Sequence, residues 1–363
     1  MAENKTGKTV KATKSVKMAK TVKTTKAVKA AKPVKTKRAA RTTKAVRSVR
    51  SAKKKDVNAV TPPPPRVVYD IDAYSPQKIA ARLDAVAAVK AKDSPAVTFW
   101  LGVNAGVFIA LGAQFATLVI SDSGLHAGLT AVVGAICFCL GLIMVVVGGA
   151  ELFTGNCMIF IGYMDKRITT RRIFDHWTIS LIGNFVGSLI VVFFVYKAHQ
   201  FSFYDYMVGG KALLIANKKV NLTFPAAFSK AVLCNAMVCM AVWVCFSARN
   251  VADKIMTLVF PIAGFVASGF EHLVANMYFI PMGIILKGKP EVVAAAEKMA
   301  GKTLDLSNLT WNGFFVINQI PVFIGNVVGG ILLAGLAFWF IYLRPKLNFT
   351  FTIKEDFKKR LMS

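Results

Sequence analysis

The hydrophobic residues of this chain fall in long, uninterrupted runs. Six apolar stretches occur at residues 96–120, 127–163, 174–197, 226–247, 255–286 and 314–343. A helix needs about 20 apolar residues to cross the hydrocarbon core of a bilayer, so the pattern predicts six transmembrane helices. The second and fifth stretches, with 37 and 32 residues, are too long for one straight span. We therefore expect a break inside each of them.

The second and fifth stretches also carry the same polar motif. The motifs are GAELFTGN at 149–156 and GFEHLVAN at 269–276, with Gly, Glu and Asn at identical offsets. Two further pairs match in chain order, namely Asn-Ala at 104–105 and 235–236 and Gly-Asn-x-x-Gly at 183–187 and 325–329. A repeat of three spans is odd-numbered, which turns the second copy upside down in the membrane. The predicted fold class is an all-α membrane protein of six transmembrane helices in an inverted 3+3 repeat, with helices 2 and 5 broken.

The repeated motifs place ionisable residues inside the membrane. A charged side chain there costs at least about 2.5–3.5 kcal/mol, so its presence indicates a role and a partner. We assign Glu151 and Asn156, and equally Glu271 and Asn276, to holding the helix breaks. His272 is the one histidine deep within a span and is the leading candidate for substrate chemistry. The glycines assigned to close helix packing are Gly183, Gly187, Gly325, Gly329 and Gly330.

Composition and charge divide the chain into three segments. The whole chain is 55% hydrophobic, with a mean hydropathy of +0.51, which is far more apolar than a soluble protein. Of its 46 Lys and Arg residues, 20 lie in residues 1–55, which contain one acidic residue. We expect a disordered basic tail and Pro-rich linker at 1–66, a six-helix channel domain at 67–346 and a C-terminal tail at 347–363. The basic tail could bind anionic lipid or another polyanion, direct the protein to an organelle, or only aid solubility.

The positive charges also predict the orientation. The basic residues at both ends of the chain belong on the cytoplasmic side, in agreement with six spans. An amphipathic helix that begins at Ser75-Pro76 is expected to lie on the membrane surface before the first span. We place the protein in the plasma membrane, with an organellar membrane as the alternative.

No pattern in the sequence indicates an enzyme or a metal site. The six cysteines lie in apolar runs and are expected to be free core residues. Phosphate-binding glycine loops and clusters of histidine with carboxylate are missing from the sequence. We therefore expect a protein that is not an enzyme and that has no metal or cofactor.

Four longer motifs resemble the formate/nitrite transporter family. They are GGAELFTGNCM at 148–158, KAVLCNAMVCMAVW at 230–243, GFEHLVANMYFIPMGI at 269–284 and IPVFIGNVVGGILL at 320–333. The resemblance covers roughly residues 70–346. It implies a homopentamer in which each protomer has its own pore and an aquaporin-like arrangement of helices.

The resemblance also implies roles for individual residues. His272 would be the central pore histidine, with Thr154 facing it. The residues of the two hydrophobic constrictions would be Leu152, Phe153 and Phe265. The polar pore residues would be Asn235 and Asn326, with Lys219 as the vestibule lysine.

The expected function is transmembrane transport of small monovalent weak-acid anions. Formate and nitrite are the principal substrates implied, with acetate, lactate and hydrosulfide as further members of the class. The anion would cross together with a proton, or as the neutral acid, past His272, which could supply either a hydrogen bond or the proton itself. The alternative is an aquaporin-type channel for small neutral solutes, although the twin Asn-Pro-Ala signature of such channels is missing from the sequence.

Overall fold

The computed structural model describes residues 72–344. The predicted basic tail and linker at 1–66 and the C-terminal tail at 347–363 lie outside these residues. The helices of the described part, in chain order, are α1 (Pro76–Lys90), α2 (Pro95–Ser121), α3 (Ala127–Gly148), α4 (Phe153–Met164), α5 (Thr170–Lys197), α6 (Met207–Val220), α7 (Phe224–Cys245), α8 (Val251–Ala267), α9 (Leu273–Leu286), α10 (Pro290–Ala300) and α11 (Gly313–Leu343).

These helices make six membrane crossings within residues 72–344. Helices α2, α3, α5, α7 and α11 are each long and apolar enough to cross a bilayer. The shorter apolar helices α4 and α9 follow α3 and α8, so that α3 with α4 forms the second crossing and α8 with α9 the fifth. The predicted all-α fold with broken second and fifth helices is confirmed.

Each break begins at a glycine with a left-handed backbone. Gly149 follows α3 with φ of 76°, and Gly269 lies between α8 and α9 with φ of 66°. Glycine adopts this conformation at almost no cost because it has no Cβ. The chain then extends through Leu152 and His272, the residues that immediately precede α4 and α9. The glycines thus explain why two apolar stretches of this length do not form single helices.

Equivalent hydrogen bonds fix the register of the inverted repeat. The Glu151 N–H donates to the Leu101 carbonyl at 3.1 Å, and the Glu271 N–H donates to the Lys230 carbonyl at 3.4 Å. Residues before and within the first span therefore correspond to those 129 positions later. By this register Gly106 corresponds to Asn235.

The predicted match between Asn104 and Asn235 is therefore wrong by two residues. Asn104 is exposed on the outer surface of the protomer, whereas Asn235 is fully buried. A Cβ on Gly106 would collide with the Asn184 carbonyl, and the Asn235 side chain instead donates to the equivalent Asn326 carbonyl at 2.6 Å. The shared dipeptide is a coincidence of sequence, because packing against the carbonyl decides the true register.

Close packing at the glycines joins the spans of each half. A Cβ on Gly187 would meet the Val103 carbonyl, and one on Gly329 would meet the Val232 carbonyl. Since no larger residue fits, α2 crosses α5 and α7 crosses α11 at backbone contact. The predicted packing role of these glycines is confirmed.

The two ends of the helix bundle carry different peripheral helices. On the end that we call the α1 face, the Tyr74 N–H donates to the Ser247 carbonyl at 3.0 Å, and Arg167 pairs with Asp84 of α1 at 2.9 Å. The opposite end, the α6 face, carries α6 and α10. The register of the repeat makes α6 the counterpart of α1, so each half begins with a helix at its own face.

Candidate functional site

A cavity of about 690 Å³ extends from the α6 face toward the middle of the bundle. Its wall includes the loop between α2 and α3 and one side of α6. The charged and aromatic residues that line it are Lys211, Lys218, Lys219, Asp122, Glu271, Phe138, Phe265, Phe270, Phe279 and His272, so that three lysines face two carboxylates. The mouth is thus cationic. Burial lowers the pKa of the Lys211 amine below its usual value.

His272 lies at the inner end of this cavity and caps α9. Its Nδ1 accepts a hydrogen bond from the Ala275 N–H at 3.1 Å, and its Nε2 lies 2.9 Å from the Thr154 hydroxyl oxygen. A neutral imidazole has one N–H, and a nitrogen that accepts cannot carry it. The cap therefore assigns the proton of the neutral ring to Nε2, which donates to Thr154.

The contact between Thr154 and His272 joins the two halves of the repeat. Thr154 lies on α4 directly after the first break, and His272 lies in the second break. Both side chains are buried, with relative exposures of 0% and 3%. The Phe265 ring stacks on the imidazole at 5.9 Å and in turn contacts Phe138 edge-on at 6.0 Å. The structure thus brings together three of the residues that the sequence predicts for the pathway.

The Asn326 side chain makes three hydrogen bonds to backbone groups around the second break, and we call this set of contacts the bracket. Its side-chain oxygen accepts from the Leu273 N–H at 2.9 Å, and its amide donates to the Ala231 and Glu271 carbonyls at 2.8 and 3.0 Å. The Leu273 N–H and the Glu271 carbonyl are backbone groups that the break would otherwise leave unpaired in a buried site, while the contact to Ala231 ties the asparagine to α7. Asn235 supports the bracket by donating to the Asn326 carbonyl.

Asn184 makes the same bracket for the first break. Its oxygen accepts from the Phe153 N–H at 3.0 Å, and its amide donates to the Gly102 and Glu151 carbonyls at 2.8 and 2.9 Å. The interruption in each half is therefore stabilised by one asparagine from the third span of that half.

A buried ion pair lies beside each break. In the second half, Lys219 Nζ is 3.0 Å from Glu271 Oε1, and Asn276 donates to Glu271 Oε2 at 2.7 Å. In the first half, Lys90 Nζ is 3.1 Å from Glu151 Oε1. The register makes Lys90 the counterpart of Lys219. Each carboxylate thus has the cationic partner that a charge inside a span requires.

The structure does not bring every predicted pore residue to the cavity described above. Asn235 and Asn326 are fully buried behind the break. The Phe153 ring stacks on Phe323 at 5.4 Å and contacts Trp177 edge-on, while Leu152 is buried just before α4. The cavity wall, as far as the described residues form it, includes none of these four predicted residues. Their pore roles stay predictions.

Several residues beside the breaks were not predicted. They are Lys90, His176, Asn184 and Asn318. His176 precedes Asn184 by eight positions, and Asn318 precedes Asn326 by eight. Extending the Gly-Asn alignment upstream by two turns of helix would have found both His176 and Asn318.

Comparison with known proteins agrees with this architecture. The family model described as "Formate/nitrite transporter" matches residues 77–340. The formate channel FocA of Escherichia coli (strain K12) is 39% identical over 276 residues, which are 75% of this chain and 96% of the relative. A probable formate transporter of Methanothermobacter thermautotrophicus is 36% identical over 287 residues, 74% of this chain and 97% of the relative.

A solved structure shows the same fold. It is titled "Pentameric formate channel with formate bound", has a TM-score of 0.61 and 36% identity, and is matched over 69% of this chain and 98% of its own. The family match runs from helix α1 to within three residues of the end of the sixth span and contains all the repeated motifs and both helix breaks. The chain belongs to the formate/nitrite transporter family.

Proposed function

We propose that this chain forms a homopentameric membrane channel for small monovalent weak-acid anions, with formate as the first substrate to test. Nitrite, acetate, lactate and hydrosulfide belong to the same chemical class. The observation that carries the proposal is a cationic cavity that ends at one imidazole, held between two helix breaks. The relatives named as formate channels and the solved pentamer support the choice of substrate and assembly.

Lys219 and its neighbours on α6 begin the pathway. Their positive charges raise the local concentration of anions at the mouth. A bare anion cannot continue past Phe138 and Phe265 at low cost, because an apolar surrounding disfavours the charged form of an acid. The anion therefore takes a proton from a hydronium ion in the vestibule, which leaves water, and crosses the narrow part as the neutral acid.

His272 acts in this scheme as a fixed hydrogen-bond donor rather than as a proton carrier. Its Nδ1 is occupied by the Ala275 N–H, and a proton placed there would set two donors against each other. Its Nε2–H donates to the Thr154 hydroxyl oxygen. An oxygen of the passing acid can replace that hydroxyl as the acceptor of this hydrogen bond. Capping of α9 and contact with substrate are thus coupled through one ring.

Proteoliposome flux tests the function. Formate and the other weak acids should enter faster than in protein-free vesicles, and an inward proton gradient should accelerate uptake. Vesicles that pass water or glycerol but no weak acid would favour the aquaporin-type alternative and refute the proposal. Light scattering in detergent should give the mass of five protomers.

Two variants of His272 separate donor from proton carrier. In His272→Asn the side-chain oxygen can still accept from the Ala275 N–H and the amide can still donate toward Thr154, but no proton can be carried. We expect this variant to retain formate transport within about tenfold and His272→Ala to lose more. Equal, complete loss in both variants, with pentamers intact, would assign proton transfer to the imidazole.

We propose further that both termini face the cytoplasm and that the protein resides in the plasma membrane. The concentration of Lys and Arg near both ends supports this orientation. Protease added to intact cells should leave a C-terminal tag uncut and should cut it after permeabilisation.

Deletion of residues 1–55 tests whether the basic tail binds anionic lipid. If the tail does so, added salt should weaken vesicle binding by the full chain more steeply than vesicle binding by the shortened chain.

A further inference from the structure

The ion pairs beside the two breaks belong to four-residue clusters that the repeat makes equivalent. The first cluster is Lys90, Glu151, Asn156 and His176, and the second is Lys219, Glu271, Asn276 and Asn318. Three of the four positions hold the same residue type in both halves. The fourth differs, because the first half has a titratable imidazole where the second has an amide.

The second cluster is almost fully hydrogen-bonded. Asn276 Nδ2 donates to Glu271 Oε2 at 2.7 Å and to Asn318 Oδ1 at 2.8 Å. Asn318 Nδ2 donates to the Lys219 carbonyl at 3.1 Å and to Glu271 Oε2 at 3.4 Å. One atom of the cluster, the Oδ1 of Asn276, has no partner among the described residues.

In the part of the chain that the structure describes, the first cluster has more side-chain nitrogens without a hydrogen-bond partner. Neither ring nitrogen of His176 nor the Nδ2 of Asn156 has a hydrogen-bond partner within residues 72–344. Both side chains are buried, with relative exposures of 5% and 2%. His176 Nε2 lies 3.6 Å from Glu151 Oε2, which is just beyond hydrogen-bonding distance. Buried polar groups without partners are rare, so each calls for a partner. A proton shared between His176 Nε2 and Glu151 Oε2 would supply one.

The charged groups around His176 come from three segments. Glu151 belongs to the break, Lys90 ends α1, and Asp93 lies in the loop that follows. Lys90 contacts both oxygens of the Glu151 carboxylate at 3.1 Å and donates to Asn156 Oδ1 at 3.3 Å, and its side chain is 31% exposed. Lys219, its counterpart, is only 12% exposed. Lys90 can therefore leave its carboxylate for solvent more readily than Lys219 can.

We propose that His176 is a proton-binding residue at the α1 face, which competes with Lys90 for the Glu151 carboxylate. A proton taken from the solution at that face makes both ring nitrogens donors, and the imidazolium donates one N–H to Glu151. The Lys90 ammonium is then released toward solvent, where it attracts the permeant anion. Loss of the proton restores the Lys90–Glu151 pair. The second half cannot respond in this way, because Asn318 does not titrate.

This inference rests on the proposed anion transport but fails separately from it. Tracer exchange of formate across proteoliposomes, with equal pH on both sides, removes the proton gradient as a driving force. Varying that pH between about 4 and 8 includes the range in which histidine titrates and extends below it, because His176 is buried. Dividing the wild-type rate by a variant's rate at each pH cancels the protonation of formate itself.

The decisive variant is His176→Asn, which copies the amide of the second half. We expect the ratio of wild-type to His176→Asn rates to rise roughly two- to fivefold from the high to the low end of the pH range, the factor of one exposed charge contact. Lys90→Gln keeps a donor for Glu151 without the charge. The ratio of wild-type to Lys90→Gln rates should therefore rise toward low pH by the same factor. His199→Asn is the matched control, since asparagine tolerates the left-handed backbone that His199 adopts at φ of 54°. Its ratio should stay constant with pH.

The outcomes are distinct. A constant ratio for His176→Asn, in vesicles where wild type exchanges formate, would overturn the proton-binding role and leave the transport function intact. A wild-type pH response that persists in Lys90→Gln would overturn the release of Lys90. Wild-type vesicles that exchange no more formate than empty ones would instead refute the proposed function.

Discussion

Replacing Asn326 by alanine should strongly destabilise the protein, because one side chain ties two backbone groups of the second break to helix α7. The substitution removes three hydrogen bonds and leaves the Leu273 N–H and the Glu271 carbonyl of the break without this partner in a buried site. Side-chain hydrogen bonds in membrane proteins average only about 0.6 kcal/mol each. A buried donor without a partner costs a further 1–3 kcal/mol or so. The two contributions together give a loss of about 3 kcal/mol.

The measurement is the free energy of unfolding in mixed micelles, followed by tryptophan fluorescence at one fixed protein concentration, because assembly alters apparent stability. Asn326→Asp sharpens the test. The aspartate can still accept from the Leu273 N–H, but it turns an oxygen toward two carbonyl oxygens. We expect it to be at least as destabilising as alanine. If alanine destabilises the protein only because side-chain volume is lost, aspartate, which keeps that volume, should be the milder change.

Asn312, which immediately precedes the same helix, supplies the matched control. It is exposed and makes no capping hydrogen bond, so Asn312→Ala should change stability by less than about 0.5 kcal/mol. If Asn326→Ala also stays within about 0.5 kcal/mol of wild type, the bracket does not hold the break.

Three further predictions concern charge and packing. Lys218→Gln removes an exposed charge at the cavity mouth and leaves the Lys219–Glu271 pair intact; it should slow formate uptake about tenfold at low salt, and the deficit should shrink in high salt because screening removes the attraction. A deficit that does not change with salt would exclude steering. Burial raises the pKa of Asp84 above 3.8 even though Arg167 opposes this. The folded state therefore binds this proton more tightly, and in thermal melts wild type should gain stability relative to Asp84→Asn as pH falls through the range just above 3.8. Gly329→Ala should cost about 1–3 kcal/mol from collision with a facing carbonyl, while Gly128→Ala, which meets nothing within 4 Å, should be neutral.

The spans and their breaks could be predicted because lipid imposes a simple rule on composition. Every crossing must be apolar for about 20 residues, and an overlong apolar stretch that contains glycine and glutamate has to be interrupted. The sequence therefore predicted the fold class and the location of both breaks. The register of the first repeat pair could not be predicted from Asn104 and Asn235, because a dipeptide match carries no information about which carbonyl lies opposite.

The bracket role of Asn326 was hidden for a related reason. The neighbouring residues along the chain do not distinguish a buried asparagine that lines a pathway from one that stabilises a helix break. The distinction depends on whether the amide faces a cavity or backbone groups, and this follows only from the positions of Leu273, Ala231 and Glu271 around it.

The positions at which the two halves agree and those at which they differ have different physical meanings. Brackets, lysine–glutamate pairs and break glycines recur in both halves, because each half must solve the same problem of exposed backbone and buried charge. In the register of the breaks, Leu152 is the counterpart of His272 and Val274 is the counterpart of Thr154. The bond between Thr154 and His272 therefore has no equivalent, since leucine and valine cannot form it. An inverted repeat thus supplies the scaffold twice and the central polar contact once, so mismatches within matched motifs are where sequence analysis should look for chemistry.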